Sequence, residues 1–192
     1  MRDEQVGYWY RSSTRFGPLV HAHLLAGREN SGKLVTMVKQ QARQAAKDTG
    51  ADLLVMDGSP GIGCPVISAS SGMDVALLVV EPTVSGAHDL ERVVATTAHF
   101  GVPALVAINK ADLNPSRADE IAMFCKDRGI ALVGCIPYDT TVTEAMVSGL
   151  PVTAYTGAPV AQALKEIWQQ IRFVLLAKDT GSSPQEPSLR LM

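Results

Sequence analysis

The sequence has no apolar run that approaches the roughly 18–20 residues needed to span a membrane, and its first residues, MRDEQVGYWYRSS, contain no hydrophobic signal core. Neither sign of charge is in excess, since 17 lysines and arginines stand against 19 aspartates and glutamates, a formal net charge of -2. Without a net basic field, the binding of nucleic acid through bulk electrostatics is not expected. The composition therefore predicts a protein without a membrane span and without nucleic acid as a partner.

Cysteine is also scarce. Cys64, Cys125 and Cys135 make an odd number and form no CxxC pair, which is typical of a reducing compartment and not of a disulfide framework. Charged residues make up only 19% of the chain, whereas hydrophobic residues make up 46%, so the chain can bury a core and global disorder is excluded. We therefore expect a cytoplasmic globular protein.

Short apolar runs alternate with amphipathic segments from Asp52 onward. The helical period is strongest near the C-terminus, where apolar residues between Val160 and Val174 repeat on one face. The apolar runs are uninterrupted, which is typical of strands buried on both faces of a parallel sheet. This alternation predicts a three-layer, doubly wound α/β fold with a mostly parallel sheet. The predicted strands are Leu53–Met56, Val75–Val80, Ala104–Ile108 and Ile130–Ile136, with Leu19–Leu25 as a further candidate.

The two ends of the chain differ from this pattern. Residues 1–17 lack a period and are predicted to be irregular, although Tyr8, Trp9 and Tyr10 could cover part of the core. Residues 18–177 are predicted to form the α/β domain. Residues 178–192 are polar and contain Gly, Ser and Pro, so we expect a flexible tail.

A polar loop follows the first predicted strand, at the edge where an open α/β sheet binds its ligands. Asp57 ends the strand, and Gly58, Ser59, Pro60 and Gly61 come next. A carboxylate at a strand end can hold Mg²⁺ through water, and glycines let backbone N–H groups approach a phosphate. The structural alternative is that Asp57 caps a turn which the glycines only shape.

Two later strands also end in polar loops. Asn109-Lys110-Ala111-Asp112 is an NKxD sequence, in which Asn can pair with a purine, the Lys stem can lie along the ring and Asp can accept from ring donors. The alternative is an Asx turn before a helix that opens at Asn114-Pro115-Ser116. The loop Pro137-Tyr138-Asp139 could cover a base or form an ordinary strand-to-helix turn.

Together these loops closely resemble the MinD/ParA/Mrp branch of P-loop ATPases, and more narrowly the MinD-superfamily proteins with an inserted ferredoxin domain. A Ras-like or translational GTPase would have a Ser-Ala-Lys loop where this chain has IPYD, so guanine specificity has less support. The resemblance extends from about Arg15 to about Val152. It is carried by RFGPLVHAHL (15–24), ENSGKLV (29–35), DGSPGIGCPVI (57–67), EPTVSGAHDLERV (81–93), INKADLN (108–114) and GCIPYD (134–139).

The resemblance implies a cytoplasmic ATPase of the P-loop NTPase class that binds ATP and Mg²⁺ at a homodimer interface and is associated with iron–sulfur or electron-transfer proteins. It implies that Asp57 is the catalytic switch residue and holds Mg²⁺ through water. It also implies three groups of nucleotide-binding residues: Gly58, Pro60 and Gly61 near the γ-phosphate; Asn109, Lys110 and Asp112 in the adenine loop, with Asp112 as its support; and Pro137 and Tyr138 as a wall for the base.

Two motifs of the resembling family are absent from the sequence: the KGGxGKT P-loop that follows the family's first strand, and the cysteine run CxxCxxCxxxCP of the ferredoxin insert. We therefore expect no iron–sulfur ligands in this chain, and weak or no ATPase activity, because the P-loop supplies much of the charge stabilisation in phosphoryl transfer. A segment with a P-loop or a ferredoxin, or a redox protein, is the expected partner. Gly27–Lys33 matches GxxxxGK, but Leu34 replaces the Ser or Thr that binds Mg²⁺, which favours a structural role.

Other residues carry weaker signals. His21 and His23 share a strand face but have no nearby third metal ligand, and Cys64 is expected to be a buried structural cysteine. Asp89 and Arg92 are expected to form a surface ion pair. Two alternative functions stay open: a non-catalytic protein-binding module that keeps the fold, and, with less support, a GTPase.

Overall fold

The structure is a computed structural model that describes residues 7–25, 31–58 and 63–179. It contains two compact units. The first comprises the residues up to Met73 together with Ala95–Val102, and the second comprises Asp74–Val94 and the residues from Pro103 onward. The sequence predicted one domain over residues 18–177, whereas the described strands form two separate sheets. The predicted tail lies outside the described residues from position 180 onward.

The first unit begins with an antiparallel hairpin. Strand β1 (Gly7–Thr14) pairs with strand β2 (Gly17–Leu24) along its whole length. Gly17 has a φ of 122°, a conformation that favours glycine at this turn. The predicted strand at Leu19–Leu25 is therefore confirmed. The irregular structure predicted for residues 1–17 is wrong for β1, whose consecutive aromatic residues suit a pleated strand although they do not alternate with polar ones.

Two helices follow the hairpin in the first unit, α1 (Ser31–Thr49) and α2 (Cys64–Ser70). Helix α1 packs against both β2 and α2. The buried apolar side chains of the two helices are Leu34, Ala45, Val66 and Ala69.

Residues Leu53–Met56 do not form the buried strand predicted from their apolar sequence. They have no ladder partner among the described residues, and the side chains of Leu53 and Val55 are 43% and 76% exposed. An apolar run supplies side chains for a core, but a strand also needs a neighbour for its backbone N–H and C=O groups. The apolar run therefore predicted buried side chains, but it carried no information on whether a neighbouring strand would supply the backbone hydrogen bonds.

The second unit is built on a parallel sheet whose strands lie in the order β3, β4, β5. The strands are β3 (Ala76–Val80), β4 (Ala104–Asn109) and β5 (Ala131–Ile136). Helix α3 (Val84–His99) connects the first two strands, and a 3₁₀ turn (Ala111–Leu113) and helix α4 (Pro115–Asp127) connect the second two. The chain continues with α5 (Thr141–Val147), α6 (Val152–Tyr155) and α7 (Pro159–Asp179).

Helices cover both faces of this sheet. Val106 and Ile108 of β4 belong to a core formed with α3 and α4, whereas Leu105 and Ala107 belong to a core formed with α7. The predicted three-layer α/β architecture with a parallel sheet is thus confirmed. Strand β4 is buried on both faces, but β3 lies at an edge of the sheet, where Val79 is 58% exposed.

Helix α7 contains the apolar residues whose period was strongest in the sequence. Val160 and Ile167 are buried, while Trp168 and Phe173 remain largely exposed. Within residues 7–25, 31–58 and 63–179, no helix has both the length and the apolar character that crossing a membrane requires.

Candidate functional site

The carboxyl ends of β3, β4 and β5 lie at one edge of the sheet, because parallel strands run in the same direction. Each strand end leads into a polar loop of the second unit. We refer to these three loops together as the strand-end rim. The rim consists of residues 81–83 after β3, 109–112 at the end of β4, and 137–139 after β5.

A hydrogen bond joins the second loop of the rim to the third. The backbone N–H of Tyr138 donates to Asp112 Oδ1 at an N···O distance of 2.7 Å. Asp112 lies in the 3₁₀ turn, which is closed by the Leu113 N–H donating to the Lys110 carbonyl at 3.1 Å. The carboxylate of Asp112 therefore holds the loop after β5 against the end of β4.

An ion pair joins the first loop of the rim to the second. Lys110 Nζ lies 2.7 Å from Glu81 Oε1. Lys110 has a φ of 54° and a ψ of 42°, and among the described residues it is the only non-glycine residue with a positive φ. Such left-handed backbone in a residue with a side chain costs of order 1 kcal/mol or more, and it is concentrated at functional sites. All three loops are thus connected through Glu81, Lys110, Asp112 and Tyr138.

The backbone of Glu81 is fixed by the start of α3. The Thr83 N–H donates to the Glu81 carbonyl at 2.8 Å, and a Cβ at Gly86 would clash with the same oxygen. Thr83 Oγ1 accepts from the Gly86 N–H at 3.0 Å, while Pro82 is buried. Sequence reasoning gave Glu81 no role. Its position in the sequence could have indicated a role, because Glu81 is an acidic residue directly after a predicted strand, as Asp57 is.

The loop after β4 ends in a helix cap. Asn114 is the N-cap of α4, and its Oδ1 accepts from the Arg117 N–H at 3.1 Å. The same loop begins at the end of β4, where Ile108 is fully buried and anchors the strand. Asn109, the last residue of β4, is half-buried. The structure therefore contains the helix-opening turn that was the alternative reading of this segment, but Asp112 points its carboxylate to Tyr138 and takes no part in the cap.

Asp139 organises the loop after β5. Its Oδ1 accepts from both the Thr141 N–H, at 2.8 Å, and the Thr141 hydroxyl, at 2.7 Å. These two hydrogen bonds lower the pKa of the Asp139 carboxyl, with the hydroxyl contributing most. Pro137 is half-buried and Tyr138 is 52% exposed. The fixed turn leaves the Tyr138 ring at the surface of the rim.

The structure brings together five of the predicted site residues within the second unit. Asp57 and Gly58 belong to the first unit and are exposed, while Pro60 and Gly61 lie outside the described residues. No cluster of three His, Cys, Asp or Glu that could hold a metal occurs in the described ranges. The five residues at the strand-end rim are Asn109, Lys110, Asp112, Pro137 and Tyr138.

The GxxxxGK segment is only partly described, since its first four residues lie outside the described ranges. Lys33 is exposed in the first turn of α1 and lines an open hollow of about 470 Å³ together with Met37, Gln40 and Ser68. Thr36 Oγ1 donates to the Gly32 carbonyl at 2.9 Å, so this hydroxyl already has a partner in its own helix.

Lys39 is a buried cation that the sequence pattern did not reveal. It is 7% exposed, and its Nζ donates to the Ser68 carbonyl and, at 2.7 Å, to the Ser71 carbonyl at the end of α2. Burial, and to a lesser degree the charge of Arg43, lowers the pKa of Lys39. Arg43 Nη2 donates to the Gly72 carbonyl at 2.6 Å. Lys39 and Arg43 thus donate to carbonyls in the last turn of α2 and just beyond its C-terminus.

Two of the residues with weaker signals, His21 and Asp89, have local partners. His21 Nε2 lies 3.0 Å from Ser12 Oγ, and its ring stacks on Tyr10 with centroids 5.2 Å apart. Asp89 Oδ1 lies 3.7 Å from His88 Nδ1. The side chain of Cys64 lies outside what the structure describes.

The chain is similar to two proteins of Methanocaldococcus jannaschii. It is 28% identical to the uncharacterized protein MJ0578 over 168 residues, which is 88% of this chain and 55% of that protein. It is 30% identical to the uncharacterized ATP-binding protein MJ0547 over 117 residues, which is 60% of this chain and 44% of that protein. The chain thus spans about half the length of these relatives. No protein-family model matches the chain.

Solved structures of cell division ATPases superpose on it. MinD of Pyrococcus furiosus matches with a TM-score of 0.60 and 21% identity, over 74% of this chain and 59% of that one. The chain has the fold of the MinD ATPases. MinD of Pyrococcus horikoshii complexed with Mg-ADP matches with a TM-score of 0.59 and 20% identity, over 73% of this chain and 56% of that one.

Proposed function

We propose that this chain supplies the adenine-nucleotide-binding part of a MinD-type ATPase. The observation that carries the proposal is the connected strand-end rim, in which Asp112 holds the Tyr138 N–H and Glu81 holds Lys110. Loops fixed at the carboxyl ends of parallel strands form the crevice where open α/β sheets bind their ligands. Because the loops are already linked, binding need not order them, which favours affinity. The similarity to an ATP-binding protein and to a MinD–Mg-ADP complex supports an adenine nucleotide as the ligand.

The sequence of the loop after β5 favours adenine over guanine. A Ras-like or translational GTPase would have a Ser-Ala-Lys loop where this chain has IPYD. In this chain the loop is held by Asp112, whose Oδ1 accepts the Tyr138 N–H at 2.7 Å. The difference in the loop argues against the alternative of a GTPase.

The remaining rim residues would contact the base. Asn109 is half-buried at the end of β4, where its amide can donate to and accept from a purine edge. Pro137 and the exposed ring of Tyr138 form an apolar side for a base to pack against. Lys110 would contribute its aliphatic stem, because its ammonium is bound to Glu81.

The phosphates and Mg²⁺ would be bound by the loop that begins at Asp57. Mg²⁺ keeps several waters and is usually held by one or two carboxylates together with substrate phosphates. The single exposed carboxylate of Asp57 fits that mode and does not fit a metal site made by protein ligands alone. Gly58 and Gly61 would bring backbone N–H groups to the terminal phosphate, and Pro60, which has no N–H, would shape the loop between them. Without a P-loop, these groups would support little or no hydrolysis.

We further propose that the activity serves iron–sulfur or electron-transfer proteins, in line with the resemblance to the branch with a ferredoxin insert. Cys125 is buried, and burial raises its pKa to about 11, so it is poorly suited to ligate a cluster. Any cluster would be bound by the partner, a redox protein or a segment that carries a ferredoxin and a P-loop, with a homodimer as the working assembly.

ATP hydrolysis, measured with and without an added P-loop segment of a MinD protein, tests the proposal. We expect no or weak turnover by this chain alone, an increase when the segment is added, and loss of that increase in Asp57→Ala. Lys33→Ala serves as the control, since Lys33 has no role in the proposed site. A nucleotide present at 100 times its Kd should also stabilise the folded chain by about 2.7 kcal/mol. Absence of both effects would contradict the proposal and favour the non-catalytic protein-binding module.

A further inference from the structure

We propose that the free edge of strand β3 is the docking site for the P-loop segment, which adds to the sheet as a strand parallel to β3. The inference rests on the proposed function, in which a separate segment supplies the P-loop, and it names the surface of this chain that receives that segment. It is carried by Leu77 and Val79, whose side chains are exposed and whose backbone groups have no partner strand among the described residues.

The backbone of β3 leaves two residues with N–H and C=O groups on its open side. The Ala76 N–H donates to the Pro103 carbonyl at 2.9 Å, so the backbone groups of Ala76 face β4. In a ladder, successive residues of a strand direct these groups to alternate sides. Leu77 and Val79 therefore direct theirs away from β4, and β3 has no second ladder partner in the part of the chain that the structure describes. Their N–H and C=O groups are available to another strand.

The side chains of the same two residues are apolar and exposed. Leu77 is 38% exposed and Val79 is 58% exposed. They lie opposite Leu105 and Ala107 of β4, which are buried in the core formed with α7. The apolar face of the sheet thus continues onto β3, where it is open. Strand addition uses this combination, since the main chain supplies hydrogen bonds and the side chains supply contact area.

The two edge strands of the sheet differ in how they are protected. Natural edge strands avoid pairing with other chains through charges, prolines, bulges or a covering element. Strand β5 has a register shift in its ladder with β4. Strand β3 has the sequence Ala-Leu-Leu-Val-Val, without charge or proline, and its ladder with β4 is regular. The difference favours β3 as the edge that accepts a strand.

The direction of the strands identifies the occupant. A strand that runs parallel to β3 ends at the same edge of the sheet, so the loop that follows it lies beside Glu81 at the strand-end rim. A P-loop follows directly on a strand, so parallel addition at β3 brings its phosphate-binding N–H groups to the proposed nucleotide site. An antiparallel strand, such as the β3 of a second copy related by a twofold axis, would carry its following loop to the opposite edge.

The lengths of the relatives agree with an occupant from outside this chain. The chain covers 55% of MJ0578 and 59% of the MinD chain of Pyrococcus furiosus, so each of these proteins has further chain outside the match. The three strands of the described parallel sheet are also fewer than the roughly four to six that sheets commonly have. Both observations favour a further strand from another segment.

Amide hydrogen exchange measured by NMR tests the docking site, with the P-loop segment of a MinD protein as the probe. In this chain alone, the amides of Leu77 and Val79 should exchange rapidly, whereas the amide of Leu78, which faces β4, should be protected. The added segment should slow exchange at Leu77 and Val79 by about 10-fold or more and leave Leu78 unchanged. The Leu78 amide is thus an internal control on the same strand.

Sedimentation of the chain alone distinguishes the other possible occupants. If the Leu77 and Val79 amides are already protected in a monomer, another part of this chain occupies the edge. If they are protected in a dimer, a second copy occupies it. Either result would overturn the inference.

Substitutions at Val79 separate docking from folding. Val79→Pro removes the outward N–H but leaves the ladder with β4 intact, because proline is tolerated where the N–H of an edge strand faces away. Val79→Lys keeps the N–H and places a charge on the apolar face. Both should weaken binding of the segment by about 10-fold or more with unchanged circular dichroism, while the matched control Val79→Ile should bind within about 2-fold of wild type. If Val79→Pro does not fold, Val79→Lys carries the test, and unchanged binding by Val79→Lys would overturn the inference.

Binding of the segment is measured without nucleotide, so this test and that of the proposed function can fail separately. ATP hydrolysis restored by the segment, with no protection at Leu77 and Val79, would overturn this inference alone. Protection at these two amides without any binding of ATP would contradict the proposed function alone. Absence of protection, of ATP binding and of restored hydrolysis would overturn both.

Discussion

Asp112 accepts a hydrogen bond from the backbone N–H of Tyr138 at 2.7 Å, although the two residues are 26 positions apart in the sequence. The bond joins the loop at the end of β4 to the loop after β5. It is the contact that joins the ends of β4 and β5 into one rim.

Replacing Asp112 by Ala should loosen the loop after β5. A lost hydrogen bond of this kind is worth about 1 kcal/mol, so the Tyr138 amide should exchange with solvent several-fold faster. Asp112→Asn keeps an acceptor oxygen and should restore most of the protection. Asp119→Ala removes an exposed carboxylate from α4 and is the control. Equal exchange of the Tyr138 amide in wild type and Asp112→Ala would show that the bond does not hold the loop.

The turn at Asp139 should respond to acid. The hydrogen bonds from Thr141 lower the pKa of the Asp139 carboxyl in the folded chain, while the unfolded value is about 3.9. A group with a depressed folded pKa stabilises the fold above its unfolded pKa, and this stabilisation is lost as the pH falls through the folded pKa. An NMR titration of the side-chain carboxyl should give a midpoint below 3.9, and Thr141→Ala should raise it. An unchanged midpoint in Thr141→Ala would refute this account of the turn.

Lys39 should matter more for stability than other lysines of α1. Lys39→Met keeps a similar shape but leaves the Ser68 and Ser71 carbonyls without their donor, which should lower the free energy of unfolding of the first unit by about 2 kcal/mol. Lys47→Met, at an exposed position of the same helix, should change it by less than about 0.5 kcal/mol. Urea unfolding followed by circular dichroism measures both, and equal effects of the two substitutions would contradict the role given to Lys39.

The buried thiol of Cys125 should be unreactive in the folded chain. Burial raises its pKa to about 11, so very little thiolate is present at pH 8. Burial also raises the pKa of Cys135, helped by the nearby charge of Asp119. Iodoacetamide labelling followed by peptide mass mapping should leave Cys125 unmodified until urea is added. Labelling of Cys125 at the same rate with and without urea would show that the core around α4 is not closed.

The part of the fold that depends on side-chain pattern could be predicted from the sequence. The uninterrupted apolar runs predicted β3, β4 and β5 correctly, because each of these strands also pairs with a neighbouring strand of the sheet. Leu53–Met56 has the same pattern but no ladder partner among the described residues, and pairing over long distances cannot be read from a run of residues. Strand β1 was not predicted, because its residues show no alternation of apolar and polar side chains. It forms a strand nevertheless, since its backbone pairs with β2 along its whole length.

The candidate site was predictable at the level of position and not at the level of contacts. The rule that ligand loops follow the ends of parallel strands placed Asp57, Asn109, Asp112 and Tyr138 at one edge. The structure has Asn109, Asp112 and Tyr138 together at the ends of β4 and β5. Asp57 does not follow a strand among the described residues, because Leu53–Met56 has no ladder partner there. The partner of Lys110 could not be predicted, because it depends on a left-handed backbone at one residue and on the length of a side chain on the next strand.

The central claim is that the strand-end rim binds an adenine nucleotide, and an amide NMR titration of the wild-type chain with ATP tests it most directly. We expect saturable shifts of the amides of residues 109–112 and of Tyr138, with smaller or no shifts in the β1–β2 hairpin. Shifts confined to the first turn of α1 around Lys33, or no saturable shift at millimolar ATP, would contradict the claim.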